Sequence, residues 1–189
     1  IQPSFCDVAA RWNRLRDLRV TLQHNAQPAR LVQLLRLLPS LRVLSIGRGA
    51  APAAAAPLDP DTFALPDRAV HEHKTLEYLE TSLADDACFE RLQLPALIAL
   101  NLRIDKCERF ENVLRCAPAM CTAIIEVGEL AFDKQRAPAK SNLAVVQLQA
   151  AMKATQCADL LACCTQLKHV LRLNLPSSAK SLLVLALSN

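Results

Sequence analysis

The chain has 189 residues, among them 34 Leu and 30 Ala but only 3 Gly, and a net charge of +4. Glycine averages about 7% of residues, so this scarcity argues against glycine-rich phosphate loops and against an all-β protein of tight hairpins. The charge is too mild to announce a nucleic-acid partner, and no apolar run reaches the roughly 18 residues that a membrane span requires.

With five Phe, one Tyr and one Trp, the core has to be aliphatic. The chain is long enough to bury one. The eight Cys fall below the density of disulfide scaffolds, which points to a reducing, intracellular setting, cytoplasmic or nuclear. No secretory signal and no initiator Met open the sequence, so a fragment of a longer chain is expected. Residues 1–50 carry eight Arg against Asp7 and Asp17, a local excess of +6 that the rest of the chain offsets by −2. Such a stretch reads either as a phosphate-binding surface or as a solvated face of snorkelling side chains.

In chain order, residues 1–11 read as a helical lead-in, followed by Trp12, Leu15, Leu18 and Val20 in the spacing L-x-x-L-x-x-L-x-L. ARLVQLLRLL (29–38) places Leu31, Leu34, Leu35 and Leu38 on one helical stripe. The nonapeptide LPSLRVLSI then repeats the frame at Leu38, Leu41, Leu44 and Ile46. Residues 47–72, rich in Ala and Pro, read as a low-complexity loop insertion. The frame returns at His73, Leu76, Leu79 and Thr81 with its ends degraded. DDACFERLQL predicts a helix with Asp85 and Asp86 in a first turn that suits the helix dipole.

LPALIALNL (94–102) is the clearest copy, and RFENVLRCA (109–117) gives another helical stripe. Frames follow at Ala117, Met120, Ala123 and Ile125, then at Lys140, Leu143, Val146 and Leu148. CADLLACC (157–164) predicts a helix, and two blurred frames run from Cys164 and Ala179. Starts at 12, 38, 73, 94, 117, 140 and 164 are 21–26 residues apart, except for the gap of 35 that holds the insertion. The closing L-x-L of each frame has the period of a strand and the connections have that of a helix. Strand and helix alternating at this interval predict an α/β solenoid with a parallel sheet, in which stacked units make the core. The chain ends on the apolar SLLVLALSN, so further units, or association through an exposed edge, are expected.

This repeat resembles the leucine-rich repeats of the ribonuclease-inhibitor-like superfamily, over residues 12–187. The resemblance implies a single domain spanning 1–189, a curved horseshoe of about seven irregular β/α repeats with the parallel sheet on its concave face. LLRLLPSLRVLSI and DDACFERLQLPALIALNL are similar to the repeat region of fungal F-box-like proteins, and the opening DVAARWNRLRDLRV resembles the join between such an F-box and its first repeat. No F-box motif lies within these 189 residues. The family's turn-supporting Asn or Cys, eight residues after the first strand leucine, is also missing: Gln23, Gly49, Ala84, Asp105, Gly128 and Ala151 stand there.

The resemblance places a partner-binding surface on the residues between and after the strand leucines: Arg19, Thr21, Ser45, Gly47, Glu80, Ser82, Asn101, Arg103, Ile124, Glu126, Gln147 and Gln149, widened by Asp17, Tyr78 and Thr122. Arg19 and Arg103 balance Glu80 and Glu126, and such mixed charge suits a protein better than a nucleic-acid backbone. Tyr78 and Arg103 are of the types that become binding hot spots. The resemblance therefore implies a protein-interaction module, not an enzyme, that selects substrates in an F-box-like ubiquitin-ligase adaptor. A Skp-type adaptor is a partner only if an F-box precedes Ile1 in the parent protein. A leucine-rich-repeat sensor or scaffold of an immune-receptor-like protein is the alternative within the binding class.

No cofactor or metal is expected. Cys107, Cys116 and Cys121 match no common zinc spacing. Cys157, Cys163 and Cys164 with His169 would be the site of a thiol- or zinc-dependent enzyme, although Cys164 falls on the apolar frame. His71-Glu72-His73 reads as a solvated loop with two ligands and no third.

Overall fold

The computed structural model describes residues 12–22, 28–48, 69–138, 141–151 and 154–173. The lead-in at 1–11, most of the Ala/Pro-rich insertion and the last frame, from Ala179, lie outside them. Five of the frames open on a tight turn closed by their second apolar residue. Leu15 donates its amide to Trp12 O, Leu41 to Leu38 O, Leu97 to Leu94 O, Met120 to Ala117 O and Leu167 to Cys164 O, all at 2.9–3.1 Å. Beyond the turn the apolar residues alternate, and the chain straightens into a strand.

Among the described residues nine strands result: β1 (Asp17–Leu22), β2 (Val43–Arg48), β3 (His71–Glu72), β4 (Tyr78–Asp85), β5 (Leu92–Gln93), β6 (Ala99–Cys107), β7 (Thr122–Leu130), β8 (Val145–Ala151) and β9 (His169–Leu173). Seven form one sheet in the order β1-β2-β4-β6-β7-β8-β9, and β3 pairs with β5 apart from it. Every ladder is parallel. Among the described residues the architecture is α/β with an open parallel sheet whose outermost strands are β1 and β9.

One contact repeats along the whole sheet. The carbonyl just before each strand accepts two amides from the next unit: Arg16 O from Arg42 and Val43, and Arg42 O from Glu77 and Tyr78. Glu77, Ile98, Cys121 and Ala144 do the same in turn, at 2.8–3.1 Å. A carbonyl has two lone pairs, so this satisfies both and sets the register of each strand on its neighbour.

Connections are helical in part. Helices α1 (Pro28–Leu37), α2 (Phe110–Cys116) and α3 (Ala154–Cys163) follow β1, β6 and β8. Pro28 opens α1, where a missing N–H costs nothing. Arg36 and Arg115 stand in the last turns of α1 and α2, opposite the negative end of the dipole. The helix expected from Asp85 is a 3₁₀ turn of five residues, Ala87–Arg91. Asp85 itself belongs to β4 and Asp86 precedes the turn, because Leu83 prolongs the strand's alternation and Leu92 starts β5 so soon afterwards. Between β7 and β8 the described residues turn at 134–136 without a helix.

The core is a single aliphatic cluster. Leu38, Leu41, Leu76, Leu79, Leu94, Leu97 and Leu102 are fully buried, with Phe89 and Phe110 the largest side chains among them. Each such leucine contributes about 1.5–3 kcal/mol by leaving water. Among the described residues the frame positions are buried in the inner units, whereas Leu15, Leu18, Val20 and Leu167 in the outer ones are partly buried against the core and Trp12 is 40% exposed. Gly47 and Arg48 lie in β2, and His71 and Glu72 in β3, so the insertion is shorter at both ends than 47–72. His73 is 2% exposed rather than solvated, because it occupies the first place of its frame. No helix among the described residues is long and apolar enough to cross a membrane.

Candidate functional site: the open face of the sheet

Strand alternation divides each strand between two faces. Leu44, Leu79, Leu100, Ala123 and Val146 point into the core, and the buried helix residues join the same cluster. Their neighbours point the other way and line up by register. Arg19 lies opposite Ser45, Ser45 opposite Glu80, Glu80 opposite Asn101, Asn101 opposite Ile124, and Ile124 opposite Gln147. One step along, Ser82 lies opposite Arg103, Arg103 opposite Glu126, and Glu126 opposite Gln149. Thr21 lies opposite Gly47 at the β1 edge. The expected surface residues thus form two rows on one face, with Asp17, Tyr78 and Thr122 in a third.

Glu80 organises the middle. Its Oε2 accepts the Ser45 hydroxyl at 2.6 Å, its Oε1 accepts Asn101 Nδ2 at 3.1 Å, and Tyr78 OH reaches Oε2 at 3.5 Å. Burial, and then the Glu80 charge, push the Tyr78 phenol above its ordinary pKa, so it stays a donor. Further along the central strands Arg103 Nε pairs with Glu126 Oε2 at 3.1 Å, and at the β1 edge Arg19 Nε pairs with Asp17 Oδ1 at 3.2 Å. Both pairs are more than half exposed and worth about 0–1 kcal/mol, so their charges can exchange partners cheaply. Ser82 differs from the rest: it is 7% exposed and offers little surface.

Sequence reasoning missed the residues that hold the turns behind the strands. The inward alternation continues beyond the closing L-x-L, through Leu83, Ile104 and Val127. The supporting place therefore falls ten residues after the frame's second apolar residue, not eight, on Asp86, Cys107 and Leu130, all buried. Asp86 Oδ2 accepts the Arg109 amide at 2.8 Å and the Cys107 thiol at 3.5 Å. Glu111, 2% exposed, accepts the Asp133 amide at 3.4 Å. The signal was present: positions 86, 107 and 130 are spaced as the strands are.

Five of the thiols have the electrostatics of packing residues. Burial pushes Cys88, Cys107 and Cys163 upward, and Cys116 and Cys164 to about 12. A nucleophilic thiolate requires the opposite shift. The Cys157 side chain lies outside the described set. No group of three or more His, Cys, Asp or Glu among the described residues is arranged to hold a metal ion. His71 and His73 sit with ring centroids 6.2 Å apart, and His73 Nε2 donates to Leu38 O at 2.9 Å. That bond gives His73 a structural use.

Compared with protein-family models, curated proteins and solved structures, the chain matches none.

Proposed function

We propose that the chain is a protein-interaction module of the leucine-rich-repeat type, an irregular solenoid of about seven repeats whose open, concave sheet face holds the partner. One observation carries the reading. Parallel sheets are ordinarily covered on both faces, yet here the buried helix residues serve one core and the other face presents registered rows of polar side chains. The repeated double-acceptor carbonyls support the solenoid, since each unit meets the next in the same way.

Seven strands at a spacing of about 4.8 Å make a surface roughly 29 Å across, the scale of a standard interface of about 800 Å² per partner. Mixed charge, with Arg103 paired with Glu126 across strands and Arg19 with Asp17 along one, offers a protein complementary hydrogen bonds rather than a field for a polyanion. In the finer reading, the surface selects substrates for an F-box-like ubiquitin-ligase adaptor.

The test is affinity capture by the wild-type chain and by a Tyr78→Ala/Arg103→Ala variant, with circular dichroism to confirm that both are folded. Partners recovered by the wild type and lost, by about 10-fold or more, with the variant support the face, since hot-spot truncations cost about 2 kcal/mol or more. Equal recovery overturns it. The 189-residue chain alone is expected not to bind a Skp-type adaptor, since it contains no F-box motif; tight binding there contradicts the ligase reading.

A further inference from the structure

A second feature lies at the starting ends of the first strands. Arg14 and Arg16 before β1, Ser40 and Arg42 before β2, and Thr75 before β4 line an open cleft of about 520 Å³. These residues occupy two equivalent places in successive units. Arg16 and Arg42 are carbonyls of the repeated double-acceptor contact, and Arg14, Ser40 and Thr75 stand two residues before that place in their own units. Stacking therefore gathers into one cleft three arginines that are up to 28 residues apart in the chain.

Most other described arginines are engaged. Arg19, Arg103, Arg109 and Arg136 pair with acids, and Arg36 and Arg115 donate to carbonyls. Arg14 and Arg16 have no acidic partner among the described residues. Arg42 is held by Glu77, which accepts Nε at 2.9 Å and Nη2 at 2.6 and 2.8 Å. That clamp fixes the guanidinium and leaves Nη1 without a hydrogen bond among the described residues. Thr75 Oγ1 donates to Leu41 O at 2.8 Å and Pro39 O at 3.0 Å, so its hydrogen is engaged and the arginines remain the donors. Three arginines against Glu77 leave a local charge of +2.

We propose that this cleft binds a phosphomonoester carried on a protein segment, a phosphoserine or phosphothreonine side chain. Such a group carries about −1.5 to −2 charges and three acceptor oxygens, which match the local excess and the forked donors of arginine. The extent of the basic cluster decides against RNA. In the next units the equivalent places are Ala96 and Ile98, then Ala119 and Cys121, so the cluster ends after two units. A nucleic-acid backbone engages many phosphates and requires a longer stripe of charge. The proposal stands apart from the open face, because the cleft lies at the strand starts.

The test uses the 189-residue chain in fluorescence polarisation with three probes: a degenerate peptide pool with a central phosphoserine, the same pool with serine, and oligouridine. The variant is Arg14→Gln/Arg16→Gln; both side chains are exposed, and an unchanged melting temperature confirms the fold. The phosphorylated pool should bind at least about 10-fold tighter than the unphosphorylated one, and the variant should lose about 10-fold or more, some 1.4 kcal/mol. The Tyr78→Ala/Arg103→Ala variant should bind the phosphorylated pool as the wild type does, which separates this cleft from the open face. Equal binding of the two pools, no binding of either, or a variant that binds like the wild type overturns the proposal. So does oligouridine binding tighter than the phosphorylated pool with a steep salt dependence, which would assign the cleft to nucleic acid.

Discussion

Gly128 shows how little room the sheet leaves at a single residue. A Cβ there would lie 2.7 Å from Asp105 O, a backbone atom that cannot swing aside, and the β7–β8 register shifts between Val127 and Glu129 at the same point. Gly128→Ala is therefore expected to cost about 1–3 kcal/mol in chemical denaturation, as overpacking does. Gly47→Ala, whose Cβ would meet its nearest atom at 3.9 Å, should cost far less. A second residue-scale outcome concerns pH. Burial, and then the charges of His73 and Arg36, hold the His71 imidazole below its ordinary pKa of 6.5. Just below that value the unfolded chain binds more protons than the folded one, so stability present above about pH 6.5 is lost as pH falls through the folded pKa. Melting temperature should fall more between about pH 7 and pH 5 for the wild type than for His71→Gln; equal falls would refute the assignment. Neither effect is legible in the sequence, because Gly128 and His71 owe their surroundings to neighbouring units.

At the scale of elements, the sequence announced strands better than connections. The L-x-L alternation predicts β2 and β6, and the apolar stripes predict α1 and α2, because each signal is local and periodic. DDACFERLQL misled for a physical reason: Cys88, Phe89 and Leu92 are buried by a 3₁₀ turn and a short strand that together mimic a helical stripe. Asp86 ties that turn to the next connection through the amide of Arg109, the residue before α2. Asp86→Ala should cost about 1–3 kcal/mol, the penalty for a buried donor left unpaired. Asp86→Asn keeps an acceptor and should recover much of that loss. If both variants unfold at the same denaturant concentration, the bond is not what holds the turn.

At the scale of the whole molecule, the described sheet joins each strand only to its neighbours, and in the proposed solenoid stability is a sum of near terms. Leu44 in β2 and Ile125 in β7 share no ladder, whereas Leu102 faces Ile125 directly. A double-mutant cycle of Leu44→Ala with Ile125→Val should add within about 0.5 kcal/mol, and one of Leu102→Ala with Ile125→Val should show a coupling of about 0.5 kcal/mol or more. The reverse pattern would contradict a nearest-neighbour stack. The α/β class, the parallel strands and the identity of the core leucines followed from sequence periodicity alone, because burial repeats with the local geometry of the backbone. Which open-face residues meet Glu80, which acids support the turns and which arginines share a cleft followed only from stacking. Ser45, Asn101 and Arg109 stand a full unit or more from the acids that they meet, and there register between strands, not spacing within one, decides who touches whom.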